Sequence, residues 1–413
     1  MSRDLSVFNV ARDAGGALTM EGVKLADVAR EFGTPCYVYS EAALAAAFKR
    51  LDGALKAARG GRPYLICYAV KANSNLAVLS LFAKLGAGFD IVSGGELRRV
   101  LAAGGDAGKV VFSGLGKTAD EMAFALEAGI KCFNVESEPE LERLDAVAGK
   151  LGKIAPVSLR VNPDVDAKTH PYISTGLKNN KFGVAFERAR EVYARAAALP
   201  NISVAGVDCH IGSQLTNTAP LTEAMGKIVA LADDLRAAGI PVHHICPGGG
   251  IGITYQSEAT IDLNAYAAAL QAALGDRDVQ LLLEPGRVLT GNAGVLLTRV
   301  EYVKTTPAKN FLIVDAAMND LIRPALYQAH HEVANTIVSD APPMACDVVG
   351  PVCESSDVLA YNRTLAAREG DVLALLSAGA YGFVMASNYN TRSRAAEVMV
   401  SGGNVRVVRK RES

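Results

Sequence analysis

Residues 64–72 read YLICYAVKA, an apolar, β-favouring run that gives out on a lysine, Lys71. A strand so continuously apolar is buried on both faces, as in a parallel sheet covered by helices. Seven further runs of the same texture follow: GFDIVSGG from Gly88, VVFSG from Val110, KCFNVES from Lys131, PVSLRVNP from Pro156, ISVAGVDCHIGS from Ile202, VHHICPGGG from Val242 and QLLLEPGR from Gln280. Longer Ala/Leu-rich stretches of helical character separate them, so the pattern is a repeated β/α unit. Eight such strands are the count of a (β/α)8 TIM-type barrel. A doubly wound sheet would instead carry a G-x-G-x-x-G turn after its first strand, where this chain reads ANSNLAVLS.

Beyond residue 287 the texture changes to LLTRVEYVKTT, NFLIVDAA, DVVGPVCE, DVLALLSAGAY and AAEVMVSGGNVRVV, strand-like pieces broken by turn residues without a long amphipathic helix. The early stretch GALTMEGVKLADVAREFGTPCYVYS suits the same unit, with a hairpin-like start and a closing strand. The expected organisation is an α/β barrel over 43–287 and a second, mostly β domain, of β-sandwich or β-barrel character, made of 1–42 and 288–413.

Length and composition narrow the function classes. The chain has 413 residues, half of them hydrophobic and 21% charged, enough apolar material for two cores. Lysine plus arginine (42) balances aspartate plus glutamate (43), so no global field recruits nucleic acid or an anionic membrane. The seven cysteines are scattered without C-x-x-C or metal-ligand spacing, which argues against a disulfide or metal framework. No run reaches a membrane span, and MSRDLSVFNVARDAGG lacks a secretory apolar segment; the expected place is the cytoplasm.

Barrel chemistry collects at the C-terminal ends of the strands. Those ends carry Lys71, Asp90, His210, Ser213, Gly248, Gly249, Gly250, Glu284, Gly286 and Arg287. A lysine desolvated at a barrel mouth has a depressed pKa and suits carbonyl chemistry. Consecutive glycines let backbone N–H groups converge on an anion, and the loops after strands seven and eight are where barrels commonly hold phosphate. A carboxylate such as Glu284 beside a pyridine nitrogen keeps that nitrogen protonated. A histidine such as His210 can lie flat against a ring.

YAVKAN, FDIVSGGEL, HPYISTGLKNNKFGV, GVDCHIGSQ, PGGGIGITY, EPGR, RPALY, GPVCESSD and GAYG stand in this order between Tyr64 and Gly382. In that order they resemble the diaminopimelate decarboxylases. YAVKAN, H-x-GS and EPGR are shared with the wider group of barrel-type pyridoxal-phosphate decarboxylases acting on ornithine and arginine. HPYISTGLKNNKFG, RPALY and CESSD are similar to the diaminopimelate branch in particular. Ser356 departs from the pattern, which has glycine after CES.

The resemblance implies pyridoxal 5'-phosphate as cofactor, meso-diaminopimelate as substrate, and L-lysine and carbon dioxide as products. It implies Lys71 as the Schiff-base lysine with Asp90 close to that bond, Glu284 on the pyridine nitrogen and His210 stacked on the ring. Ser213, Gly248 to Gly250, Gly286, Arg287 and Tyr381 would surround the phosphate or a nearby substrate carboxylate. Arg287, Arg323, Tyr327, Glu354 and Tyr381 would contact substrate. Cys353 would give the proton, with Lys71 the alternative donor, and would arrive from the second subunit of a homodimer. The far amino-acid head of diaminopimelate calls for one cation and one anion, which Arg323 and Glu354 supply. A decarboxylase of ornithine, arginine or lysine is the nearest alternative; an amino-acid racemase and a substrate-free regulator that binds the cofactor are more distant ones.

Overall fold

The computed structural model describes residues 5–166, 175 and 181–413. Except for Thr175 and Lys181–Val184, the motif HPYISTGLKNNKFGV lies outside the described residues. By its internal contacts the chain forms two units, one of residues 48–252 and 260–286, the other of 1–47, 253–259 and 287–413.

The first unit is a closed barrel of eight parallel strands: β1 (Tyr64–Ala69), β2 (Gly88–Ile91), β3 (Val110–Phe112), β4 (Cys132–Val135), β5 (Ala155–Asn162), β6 (Ile202–Asp208), β7 (His244–Cys246) and β8 (Gln280–Leu283). Each pairs with the next, and β8 closes on β1 through Leu281–Tyr64 and Leu283–Ile66. This is the barrel expected from the eight runs. Cys67, Val111, Cys132, Cys246 and Leu282 pack together inside it. The turns leaving the strands carry the polar residues that start the following helices. Asn75, Ser93, Thr118 and Ser137 each accept a backbone N–H of the helix they begin, and Thr118 with Glu121 completes a capping box. Helix starts and strand ends thus share one rim, where free N–H groups and side chains can face a ligand.

The second unit is mostly β. Its sheet is built around the long strand Gly294–Thr305, which pairs antiparallel with Cys36–Ser40, Asn310–Val314 and Val372–Leu375. Cys36–Ser40 also pairs in parallel with Ala396–Ser401, so the early strand closes the same sheet as the C-terminal ones. Leu18, Met20, Leu25, Val38, Val295, Leu297, Leu376, Val398 and Val400 form its core. No helix among the described residues is long and apolar enough to cross a membrane.

Candidate active site

Within the barrel unit, the expected rim residues come together. Lys71 leaves β1 in a single 3-10 turn, Val70–Ala72, and its Nζ lies 2.7 Å from Asp90 Oδ2. The register Ala69–Asp90 between β1 and β2 sets that carboxylate beside the end of the lysine's strand. Asp90 is wholly buried, the lysine side chain is 37% exposed, and Asp90 Oδ1 has no hydrogen-bond partner among the described residues. A buried carboxylate with one oxygen engaged and a cation reaching solvent is an amine held at the mouth by charge and still open to a reaction partner.

His210 follows β6. Its Nδ1 accepts the Gly249 N–H at 3.2 Å, which places any ring proton on Nε2, and its carbonyl accepts from Thr175 Oγ1 at 2.8 Å. Burial first, then the positive charges of Arg160 and Lys71, hold its pKa well below the ordinary histidine value, so the imidazole is neutral. Ser213 is half-buried on the same loop. That loop is pinned to the glycine turn, since Leu215 N–H donates to the Gly250 carbonyl and Gly252 N–H to the Leu215 carbonyl, both at 2.8 Å. Gly248 and Gly250 have φ of 78° and 98°. A Cβ on Gly248, Gly249 or Gly250 would run into the carbonyl oxygens of Cys209, Glu284 and Gly212 respectively. Only glycine permits this approach.

Glu284 follows β8 and is buried. Its Oε1 accepts from Asn134 Nδ2 at 3.0 Å, and Asn134 Oδ1 accepts from Ser158 Oγ at 2.5 Å. Burial, then the negative charges of Asp208 and Asp90, raise its pKa well above the ordinary carboxyl range. Beside it Gly286 packs on Ala72 and Ala69, where an added Cβ would lie 3.0 and 3.2 Å from theirs. Arg160 bonds Glu136 at 3.0 Å and reaches the His210 carbonyl at 3.3 Å.

A second group forms within the mostly β unit. Arg287 donates to Tyr255 Oη at 2.5 Å and its guanidinium lies 4.8 Å from the Tyr381 ring centre. Tyr381 has a φ of 55°, a backbone conformation costly for a bulky residue. Arg323, 5% exposed, lies 4.7 Å over the Tyr255 ring, and its Nη1 donates to His331 Nε2 at 2.8 Å. His331 Nδ1 in turn donates to the Leu376 carbonyl at 2.8 Å. Arg323 Nε has no acceptor, and none of the ion pairs among the described residues involves this guanidinium. A buried guanidinium without a carboxylate is costly by several kcal/mol, roughly 3–5, unless an anion arrives. Tyr327 is half-buried on the same short helix, Arg323–Tyr327.

Cys353 and Glu354 stand apart from that group on an exposed loop of the same unit. Glu354 accepts from Tyr389 Oη at 2.5 Å and from Ser356 Oγ at 3.0 Å, which gives the departing serine a hydrogen-bonding place. Those two hydroxyls hold the Glu354 pKa below its usual value. Cys353 Sγ lies 3.8 Å from Asn390 Oδ1, and it is exposed where the six other cysteines are buried. Among the described residues no hydrogen bond joins either residue to Arg287, Arg323 or Tyr381.

Asn134, Arg160, Asp208, Tyr255 and His331 were not singled out by the sequence reading. Tyr255 was within reach, since it closes PGGGIGITY, as was Asp208 in GVDCHIGSQ, and His331 lies just beyond RPALY; a lone Asn or Arg inside a strand carries no such signal.

Comparison with known proteins bears on both groups. Residues 42–291 match the pyridoxal binding domain of the pyridoxal-dependent decarboxylases. The chain is 59% identical over 402 residues to the diaminopimelate decarboxylase of Pseudomonas aeruginosa, covering 97% of this chain and 95% of that one. It is 57% identical over 396 residues to that of Neisseria meningitidis, covering 96% and 95%. The crystal structure of diaminopimelate decarboxylase from Helicobacter pylori complexed with L-lysine matches with a TM-score of 0.90 at 44% identity, over 94% of this chain and 97% of that one.

Proposed function

The chain belongs to the pyridoxal-dependent decarboxylases, in their diaminopimelate branch, and on that footing we infer the part each residue plays. The protein removes carbon dioxide from meso-2,6-diaminopimelate and releases L-lysine, the last step of lysine biosynthesis by the diaminopimelate route, with pyridoxal 5'-phosphate as cofactor.

The donor set fits that cofactor. Lys71 supplies the amine for its aldehyde carbon and Glu284 a buried carboxyl for its ring nitrogen, while the close-approach glycines 248–250 leave room for its phosphate; the Gly248 and Gly249 N–H groups are taken by Cys246 Sγ and His210 Nδ1, so the Gly250 N–H is the donor this turn offers. Bound there, the cofactor supplies an electron sink for the pair left behind when carbon dioxide departs. Asp90 balances the charge on Lys71 Nζ. His210, neutral and fixed by the Gly249 N–H, offers its ring face. Glu284 holds the proton at the ring nitrogen; its raised proton affinity suits a group that delivers and then shares that proton. Ser213, Gly286, Arg287 and Tyr381 are assigned to the phosphate and the carboxylate nearest it.

Arg323 is assigned to the substrate's distal carboxylate, Glu354 to its distal ammonium, and Tyr327 to the same end. Cys353 hands the proton to the α-carbon once carbon dioxide has left. A thiol positioned at that carbon can serve as the acid. We assign the cofactor work to the barrel, 43–287, apart from Tyr381, and the distal-substrate and interface work to 1–42 with 288–413. The exposure of Cys353 and Glu354 in a single chain supports a homodimer in which each completes the site of the other copy. Seven unpaired thiols fit the reducing cytoplasm.

The observation that carries the assignment is Lys71 Nζ at 2.7 Å from wholly buried Asp90. Purified protein given the cofactor and meso-diaminopimelate should form L-lysine and carbon dioxide, and borohydride reduction followed by peptide mapping should label Lys71. A label on Lys117 instead overturns it.

A further inference from the structure

Beneath the site the barrel holds a carboxyl that the reaction as assigned leaves unused. Asp208 ends β6, registers with Cys246 of β7, and is 1% exposed. A carboxylate oxygen of Asp208, the Cys246 sulfur and a carboxylate oxygen of Glu284 all lie within 4.8 Å of one another. Asp208 Oδ1 has no hydrogen-bond partner among the described residues. The groups that face Asp208 are Arg160 of β5, Glu136 after β4, Asp90 of β2, the thiols of Cys132, Cys209 and Cys246, and the Tyr193 hydroxyl. The one cation among them, Arg160, is already bonded to Glu136.

Two carboxyl groups this close and this buried do not both ionise readily. Burial pushes Asp208 up to about 7 and Glu284 well above its usual value, so the pair keeps a proton at neutral pH. A metal ion is a poor alternative, because burial pushes the Cys246 thiol well above its usual value and keeps it protonated, whereas metals take thiolate.

We propose that Asp208 is a positioning residue for Glu284: a carboxylic acid kept beneath it, so that the pair holds one proton and directs one negative charge at the cofactor's ring nitrogen. The proposal rests on the assignment of Glu284 above. With the cofactor bound, a proton taken up from solvent through Glu284 would sit on the ring nitrogen, Glu284 would face it as the carboxylate, and the one proton that the pair itself retains would sit on Asp208. The acid then neutralises a second buried charge that Arg160 cannot offset, and leaves the Glu284–nitrogen pair as the only ionised contact at that place.

The test is infrared difference spectroscopy on the cofactor-loaded protein, with loading confirmed by its visible absorption. Between about pH 6 and 7 the wild type should show a buried carboxylic-acid carbonyl band that shifts when aspartate is supplied with carbon-13, and Asp208→Asn should lack it. No aspartate-sensitive acid band, or one that persists in Asp208→Asn, overturns the proposal. If Asp208→Asn does not fold, Asp208→Glu takes its place: the aspartate-sensitive band that fades as the pH rises toward 7 must be lost in the variant, and its persistence is equally fatal, since Asp320, pushed up to about 6 by burial, would then be its source. A wild type that takes up no cofactor overturns the Glu284 assignment instead, and that failure is distinct because the acid band of the pair is also read in cofactor-free protein.

Discussion

Glu284 and Arg323 are the two residues whose surroundings translate most directly into kinetics. Glu284→Gln keeps the shape and the bond to Asn134 but cannot hold a proton at the ring nitrogen. It should retain the cofactor and lose roughly 3–4 kcal/mol of transition-state stabilisation, on the order of 10²–10³ in kcat. Steady-state rates beside a cofactor titration separate the two effects, and near wild-type turnover removes Glu284 from the ring nitrogen. Arg323→Gln keeps a donor for His331 Nε2 and removes the charge. A charge-assisted hydrogen bond is worth about 1.5–3 kcal/mol, so KM for diaminopimelate should rise roughly 10–100-fold with a smaller change in kcat. An unchanged KM places the distal carboxylate elsewhere. The residues that carry these arguments were unequally legible. Lys71, Glu284 and Arg323 each stand in a motif, and so does Asp208, in GVDCHIGSQ; what no motif states is that the barrel sets Asn134 and Asp208 beside a carboxylate from another strand. No local pattern encodes a neighbour 150 residues away in the chain.

At the scale of elements, the glycine turn after β7 is the part that a single methyl group can break. In Gly249→Ala the new Cβ would collide with the Glu284 carbonyl oxygen, backbone that cannot swing aside. Overpacking of this kind costs about 1–3 kcal/mol. Because the turn and the strand carrying Glu284 are also joined by the Glu284 N–H to Gly248 carbonyl bond, the damage should appear in the site before the fold. Cofactor affinity should fall by roughly tenfold or more while thermal unfolding of the cofactor-free protein shifts little. Gly226→Ala is the control. That glycine lies inside the helix Ala219–Ala237, a Cβ there meets nothing within 4 Å, and the exchange should be neutral or stabilising by about 0.5–1 kcal/mol. Elements of this sort were readable in advance because the β/α period and the rim glycines are local signals; seven of the eight barrel strands fall within the expected runs and β5 starts one residue before its run, at Ala155. The grouping of residues 253–259 with the mostly β unit was not readable, since it depends on long-range packing that leaves no period in the sequence.

For the whole molecule the open question is how many chains make one site. Lys71 belongs to the barrel unit, and Cys353 sits on an exposed loop of the other, with Glu354 beside it held by Tyr389 and Ser356. An acid that must reach an α-carbon shielded from water is badly placed in solvent; a second copy related by two-fold symmetry would cover it and give each site a loop from its neighbour. If so, activity is tied to association, and an isolated chain has the cofactor lysine without the proton donor. Lys71→Ala and Cys353→Ala should each be severely impaired when pure. Mixed in equal amounts under conditions that allow exchange, about half the dimers become heterodimers. In each of these, one site joins the intact Lys71 of one chain to the intact Cys353 of the other, and the second site carries both lesions. Half the dimers with one good site of two should return roughly a quarter of wild-type activity. Recovery should track the fraction of heterodimer measured by native mass spectrometry. Exchange without recovery would mean that Cys353 serves the site of its own chain or none, and the exposed loop would then need another reason for its acidic, thiol-bearing sequence.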